Sequence, residues 1–333
     1  MKNFRFLTKH FFFSLCFLTL TAIAYGAEPG AGNRGLENSR RFSLSERGPS
    51  SVLVFNLYAS SATDPGKQDT SFSITNANNE KTAFVHLFLV SGSCTVADAY
   101  ICLTKNQTVS FLASDIDPGI TGYAIALATD DAGCPVSFNH LLGSEFVKLE
   151  SGHAANLPAD GYAALFNGKL PGCSSTATTA AISLDGTWYS AAARVLAADK
   201  LFSLADGNRT LLIVNSLEGN LAIGMQPIRD IEGTLYDDAE TGIAFSATAA
   251  CQLNAALSNN FPRMIPRFPI LVPEGRTGWT QLMAKEDKAI SGAVINFNPE
   301  AATRVNSFNG GRNLQPLRLT GGKLIIPVFA PFC

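Results

Sequence analysis

A chain of 333 residues with 46% hydrophobic and 16% charged residues is longer than one hydrophobic core usually serves, and it lacks the composition of disorder. Its 25 basic and 27 acidic residues give a formal net charge of −2, which argues against nucleic acid as a partner because phosphate binding needs a positive field.

Residues 1–26 read as a secretory signal peptide. Lys2, Arg5 and Lys9 form a basic start, Phe11 to Ala24 an apolar run, and Ala24-Tyr25-Gly26 a small-x-small cleavage site. Without that segment 22 basic residues face 27 acidic ones, a net charge of −5. No later run approaches the roughly 20 apolar residues of a membrane span, so no span is expected after cleavage. Residues 27–50 read as a flexible, solvated tail carrying Arg34, Arg40, Arg41 and Arg47. Gly30-Ala-Gly32-Asn-Arg-Gly35 fits a dinucleotide fingerprint in letters only, since no strand precedes it and no helix signal follows.

Of the seven cysteines, Cys16 leaves with the signal. Cys94, Cys102, Cys134, Cys173, Cys251 and Cys333 remain, and an even count in an exported chain reads as disulfides. Sequence order suggests Cys94 with Cys102, Cys134 with Cys173 and Cys251 with Cys333, one of the fifteen pairings open to six cysteines. No C-x-x-C spacing favours zinc. The compartment implied is extracellular, cell-surface or periplasmic.

From Ser51 onward short apolar runs of period two alternate with Gly, Asn, Asp and Pro clusters, which predicts strands and turns. Phe72 and Ile74 alternate with Ser71, Ser73 and Thr75. Ala83 to Val90 is apolar on both faces apart from His86 and predicts a central strand. From Gly122 to Ala128, Tyr123, Ile125 and Leu127 share one face, and Ala124, Ala126 and Ala128 the other. Ser174 to Ser183 reads as a linker, and Ala-rich Tyr189 to Leu201 as the one short helix. Leu317 and Leu319 before Gly321-Gly322, with Leu324 and Ile326 after it, predict a terminal hairpin.

Three matches recur in order: Phe72 to Asn76 with Leu211 to Asn215, Gly119 to Tyr123 with Gly275 to Trp279, and Phe138-Asn139 with Phe297-Asn298. They suggest a duplication. The expectation is an all-β chain of two sandwich-like (immunoglobulin-like) domains, 51–185 and 186–333.

Candidate sites are sparse. His86, His140 and His153 are the histidines beyond the signal, and a core role is expected for His86. Ser114 to Gly119 resembles part of a calcium loop through Asp115 and Asp117, with Asp130 and Asp131 as further ligands; Asp237, Asp238 and Glu240 would make a second site. The alternative is that these residues simply build turns. The sequons at Asn106 and Asn208 predict exposed polar turns. Trp188, Tyr189, Trp279 and Phe308 would stack on sugars or fill cores, with core filling expected. No G-x-S-x-G, H-E-x-x-H or P-loop motif is present, while paired carboxylates for glycoside hydrolysis leave no sequence signature.

Several runs resemble a family of exported bacterial proteins with duplicated β-sandwich-like domains: Cys102-Leu-Thr-Lys-Asn-Gln-Thr108, Ser110-Phe-Leu-Ala-Ser-Asp115 through Asp117-Pro-Gly-Ile-Thr-Gly-Tyr123, Gly152-His-Ala-Ala-Asn-Leu157, Ala205-Asp-Gly-Asn-Arg-Thr-Leu-Leu212 and Leu257-Ser-Asn-Asn-Phe-Pro-Arg263. The resemblance implies a shared architecture and brings no activity, cofactor or ligand with it. Arg312-Asn-Leu314 stands where a His-containing stretch is expected from it, which speaks against a metal in the second half. The expected function is a non-enzymatic structural or adhesive role toward a protein or glycan surface partner. A carbohydrate-binding module or glycan-active enzyme is the alternative.

Overall fold

The structure, a computed structural model, describes residues 48–304 and 306–332. The expected signal peptide, most of the expected tail and Cys333 lie outside the described residues. The first half contains β1 (Val52–Ala59), β2 (Asp69–Asn76), β3 (Ala83–Ser91), β4 (Val96–Leu103), β5 (Thr108–Leu112), β6 (Thr121–Thr129), β7 (Leu141–Lys148), β8 (Ala154–Pro158) and β9 (Asp160–Tyr162). Two antiparallel sheets result, ordered β4-β3-β6-β1-β9 and β5-β2-β7-β8. Leu53, Phe55, Phe72, Ile74, Leu87 and Ala126 fill one core of this half. As its alternation predicts, β6 places Ala124, Ala126 and Ala128 in that core, and Tyr123, Ile125 and Leu127 in a second one on the opposite face.

Next come β10 (Thr179–Leu184), β11 (Ala192–Phe202), β12 (Arg209–Ser216), β13 (Gly219–Asn220), β14 (Gly224–Met225) and β15 (Arg229–Asp237). They are followed by β16 (Gly242–Ala249), β17 (Gln252–Ala256), β18 (Thr277–Ala284), β19 (Ile290–Phe297), β20 (Gly310–Asn313), β21 (Gln315–Thr320) and β22 (Gly322–Pro327). One long sheet runs β16-β15-β18-β11-β19-β12-β17, with β20 on β19 and β21 on β11; β10-β22-β13-β14 form a separate small sheet.

The pairings of the first half have counterparts in the second. β1–β6, β1–β9, β2–β5 and β2–β7 correspond to β11–β18, β11–β21, β12–β17 and β12–β19. β3–β4, β3–β6 and β7–β8 correspond to β15–β16, β15–β18 and β19–β20. A register slip recurs as well, between Phe55 and Tyr58 against β6 and between Ala198 and Leu201 against β18. The matched Gly-x-Thr-Gly segments serve the same geometry. Gly119 and Gly275 have φ of +83° and +75°. A Cβ on Gly122 would lie 1.9 Å from the Val90 carbonyl oxygen, and one on Gly278 2.6 Å from that of Tyr236. A positive φ and then a close cross-strand approach both call for glycine.

Several expectations are corrected. Ala-rich 192–202 is β11, not a helix: it runs between β18 and β21 with buried residues on both faces, and this packing overrides helix propensity. The α-helix among the described residues is the single turn Phe268–Leu271. The 174–183 segment is more than a linker, because β10 pairs with β22 and buries Ala180, Ile182 and Leu184. The terminal hairpin does not form. β21 pairs with β11 while β22 pairs with β10 and β13, so Gly321-Gly322 carries the chain from one sheet to another. The Phe138-Asn139 match also fails, since those residues precede β7 whereas Phe297 ends β19, the counterpart of β7.

Cys134 and Cys173 are joined as expected, but Cys94 is joined to Cys251. The Cys94–Cys102 and Cys251–Cys333 pairings are thereby corrected. Cys94 lies in the β3–β4 turn and Cys102 near the far end of β4, separated by roughly 20 Å of extended strand, far beyond disulfide reach. Cys102 is itself disulfide-bonded.

The two halves share a core. Val52, Val54, Phe88, Tyr123 and Leu127 pack with Leu217, Leu324 and Ile326 across the boundary expected at 185. A polar seam accompanies it. The Asn56 and Asn313 amides donate to the two oxygens of the Asp160 carboxylate at 2.9 and 2.6 Å, and Asn215 donates to the Asn56 carbonyl at 2.9 Å.

Candidate functional site

The three histidines are not brought together. His86 is buried on β3 under Tyr100, with ring centroids 4.1 Å apart, and its Nε2 lies 2.8 Å from Asp98. Burial pulls its pKa down against the raising effect of Asp98. His153 bridges Ser151 and the Arg209 carbonyl, and burial lowers its pKa too. His140 packs against Phe138.

The calcium candidates lie at opposite ends of β6. Asp117 accepts the Tyr58 hydroxyl at 2.6 Å, and Asp115 accepts the Leu112 amide. Asp130 accepts the amides of Ala132 and Cys134 and pairs with Lys169. Burial raises its pKa, but Lys169 and those amides outweigh this and hold it below the usual value. Asp131 follows on the same turn, about 30 Å of extended strand from Asp117, too far to share an ion. In the second half Asp237 accepts the amides of Ala239 and Thr241, and Asp238 pairs with Arg276. Among the described residues no group of three or more His, Cys, Asp or Glu is placed to hold a metal. Asn208 is buried and donates to Ser203 and Asn306, which corrects its reading as an exposed turn.

A buried carboxyl escaped sequence reasoning. Glu145 faces inward on β7, between Gly143 and Val147, and accepts the Leu57 amide at 3.1 Å, in the slip of β1 where ladder partners are missing. Desolvation pushes its pKa well up and the nearby Asp160 adds to this; amides of Leu57 and Asn56 oppose. Both carboxyl groups are sealed from solvent, which fits a structural pair rather than a glycosidase pair. The one available signal was a Glu at an inward position of an alternating strand.

The outer face of β16, β15 and β18 is an open surface that mixes aromatic and polar side chains. Cross-strand register sets three rows: Ser246, Glu232 and Met283; Ala244, Thr234 and Gln281; Gly242, Tyr236 and Trp279. Tyr236 and Trp279 stack with centroids 4.5 Å apart at 11°, and Trp279 is 36% exposed. Gly242 leaves the room that Tyr236 needs, since a Cβ there would lie 2.6 Å from its ring. Beside the pair, a groove of about 530 Å³ is lined by Glu232, Thr234, Ser246, Gln281, Met283 and Arg263. Expected in a core, Trp279 instead lies on this open face.

The counterpart face of the first half is closed. His86, Phe88 and Val90 on β3, with Tyr123, Ile125 and Leu127 on β6, hold the positions of Glu232, Thr234, Tyr236, Trp279, Gln281 and Met283. Ile182, Leu184, Leu324 and Ile326 of the small sheet lie in the core with them.

No protein-family model and no curated protein matches the chain. Among solved structures, one titled "Crystal Structure of Thermotoga maritima 1070" is 12% identical, covering 34% of this chain and 92% of that chain at a TM-score of 0.26. The Cys94–Cys251 and Cys134–Cys173 disulfides fit an oxidising extracellular or periplasmic setting. Among the described residues no helix is long and apolar enough to cross a membrane.

Proposed function

We propose that the chain is an exported, non-enzymatic adhesive protein built by duplication of one β-sandwich unit, in which the first copy's outer face was covered and the second's left open to bind. The observation that carries this reading is the exposed Tyr236–Trp279 stack beside a polar groove, at positions whose counterparts in the first half are buried. Signal-like residues 1–26 and the disulfides support export. The matching pairing orders support duplication. A photo-crosslinker at Gln281 is expected to capture a surface partner in intact cells that the same group at exposed Lys105 does not. Equal capture at both positions would refute the assigned face.

A second reading, carbohydrate recognition, is favoured by the composition of the same face. Aromatic rings pack on the C–H face of a sugar, while Glu232, Thr234, Ser246, Gln281 and Arg263 can hydrogen-bond hydroxyls. A glycan array tests it.

A further inference from the structure

The connection from β17 to β18 ends in Glu274, Gly275 and Arg276, and the stretch before them, residues 257–273, is the unusual part. That stretch contains no Asp or Glu, and it carries Arg263 and Arg267 together with Pro262, Pro266, Pro269 and Pro273. Met264, Phe268, Leu271 and Val272 are buried in the core of the second half and fix the segment from beneath. Between these anchors Ile265 and Ile270 project into solvent, 92% and 68% exposed; Ile265 is the most exposed large apolar side chain among the described residues. The arginine ion pairs among the described residues belong to Arg194, Arg276, Arg304 and Arg312, so Arg263 and Arg267 carry unneutralised charge beside the two isoleucines. A groove of about 420 Å³ runs beside Ile265, lined by Asn259, Asn260, Arg263, Met264, Ile265 and Arg267.

We propose that this segment docks the protein on an anionic lipid surface, with Ile265 and Ile270 entering the headgroup–acyl boundary and Arg263 and Arg267 bound to lipid phosphates. Aliphatic tips flanked by cations are the chemistry of reversible interfacial attachment, in which apolar burial and attraction to anionic lipid act together. The prolines favour lipid over a protein partner. They bring no backbone N–H, so Pro266 and Pro269, next to the exposed isoleucines, have no donor to leave unpaired on entering an apolar medium. The buried anchors hold the tips in place before contact, which lowers the ordering cost of attachment.

The test is co-sedimentation of the purified protein with vesicles of mixed phosphatidylcholine and phosphatidylglycerol, and with phosphatidylcholine alone. Binding is expected to the mixed vesicles, falling as salt is added. Ile265→Ser with Ile270→Ser should weaken it about a hundredfold, and Arg267→Gln about fivefold. Melting temperatures of these surface variants should equal that of the parent, and Trp279→Ala should bind vesicles normally. The proposal is overturned by absent sedimentation, by equal binding to both vesicle types, or by full binding of the isoleucine variant. Concentration-dependent self-association lost in that variant, without vesicle binding, would also overturn it and assign the tips to a contact between copies. Loss of vesicle binding in Trp279→Ala would move the attachment to the open sheet face.

Discussion

Tyr123 and Trp279 stand at equivalent places in their halves, each following a Gly-x-Thr-Gly turn and each opposite a corresponding strand, β3 or β15, yet they meet opposite environments. The Tyr123 hydroxyl donates to the Ser216 carbonyl at 2.6 Å inside the shared core, while Trp279 stacks on Tyr236 at the surface. The difference lies in what covers them. The small sheet of β10 and β22 packs over the first face, and the described residues place no sheet over the second. A polar, aromatic surface left open where its twin is packed is the basis of the functional reading.

The two close approaches behind those turns predict a stability effect. Gly122→Ala places a methyl against the Val90 carbonyl, which moves only if β3 and β6 part. A loss of about 3 kcal/mol in urea denaturation is expected, with a smaller loss for Gly278→Ala, where the contact is less severe.

The disulfides should differ in weight. Cys94–Cys251 closes 157 residues and Cys134–Cys173 closes 39. Chain entropy gives about 5 and about 4 kcal/mol, so replacing Cys94 and Cys251 by serine should lower the denaturation midpoint further than replacing Cys134 and Cys173.

Glu145 imposes a pH dependence. Its folded pKa is raised above the ordinary 4.5, so the proton it holds stabilises the fold fully below that value, and this contribution is lost as pH rises through the folded pKa. Glu145→Gln keeps an oxygen for the Leu57 amide and has no proton to lose. The variant should gain melting temperature over the parent on going from pH 4 to pH 8, and a constant difference would contradict the assignment.

His86 acts in the other direction. Its folded pKa is lowered, so its contribution is present above the unfolded value of 6.5 and lost as pH falls through the folded one. NMR titration of its imidazole should give a midpoint below 6.5.

Much of the fold was legible in residues whose spacing matches one periodicity. The two faces of β6 follow directly from Tyr123, Ile125 and Leu127 against the three alanines, and the Gly-x-Thr-Gly match marked corresponding turns. Long-range choices left no such trace. Nothing in Ala192–Phe202 announces that β18 and β21 flank it, and Gly321-Gly322 allows a hairpin as readily as a passage between sheets. The open face was half visible. Thr234 and Gln281 are polar where Phe88 and Ile125 stand in the first half, but reading that contrast required the strand correspondence that only the structure supplies.

The measurement that bears most directly on the open face is a glycan array probed with the parent protein and with Trp279→Ala. The account predicts hits for the parent that the variant loses while its unfolding free energy stays within about 1.5 kcal/mol of the parent's, the scale of one aromatic pair. Hits retained in full by Trp279→Ala, or none for either protein, would contradict carbohydrate binding at this face.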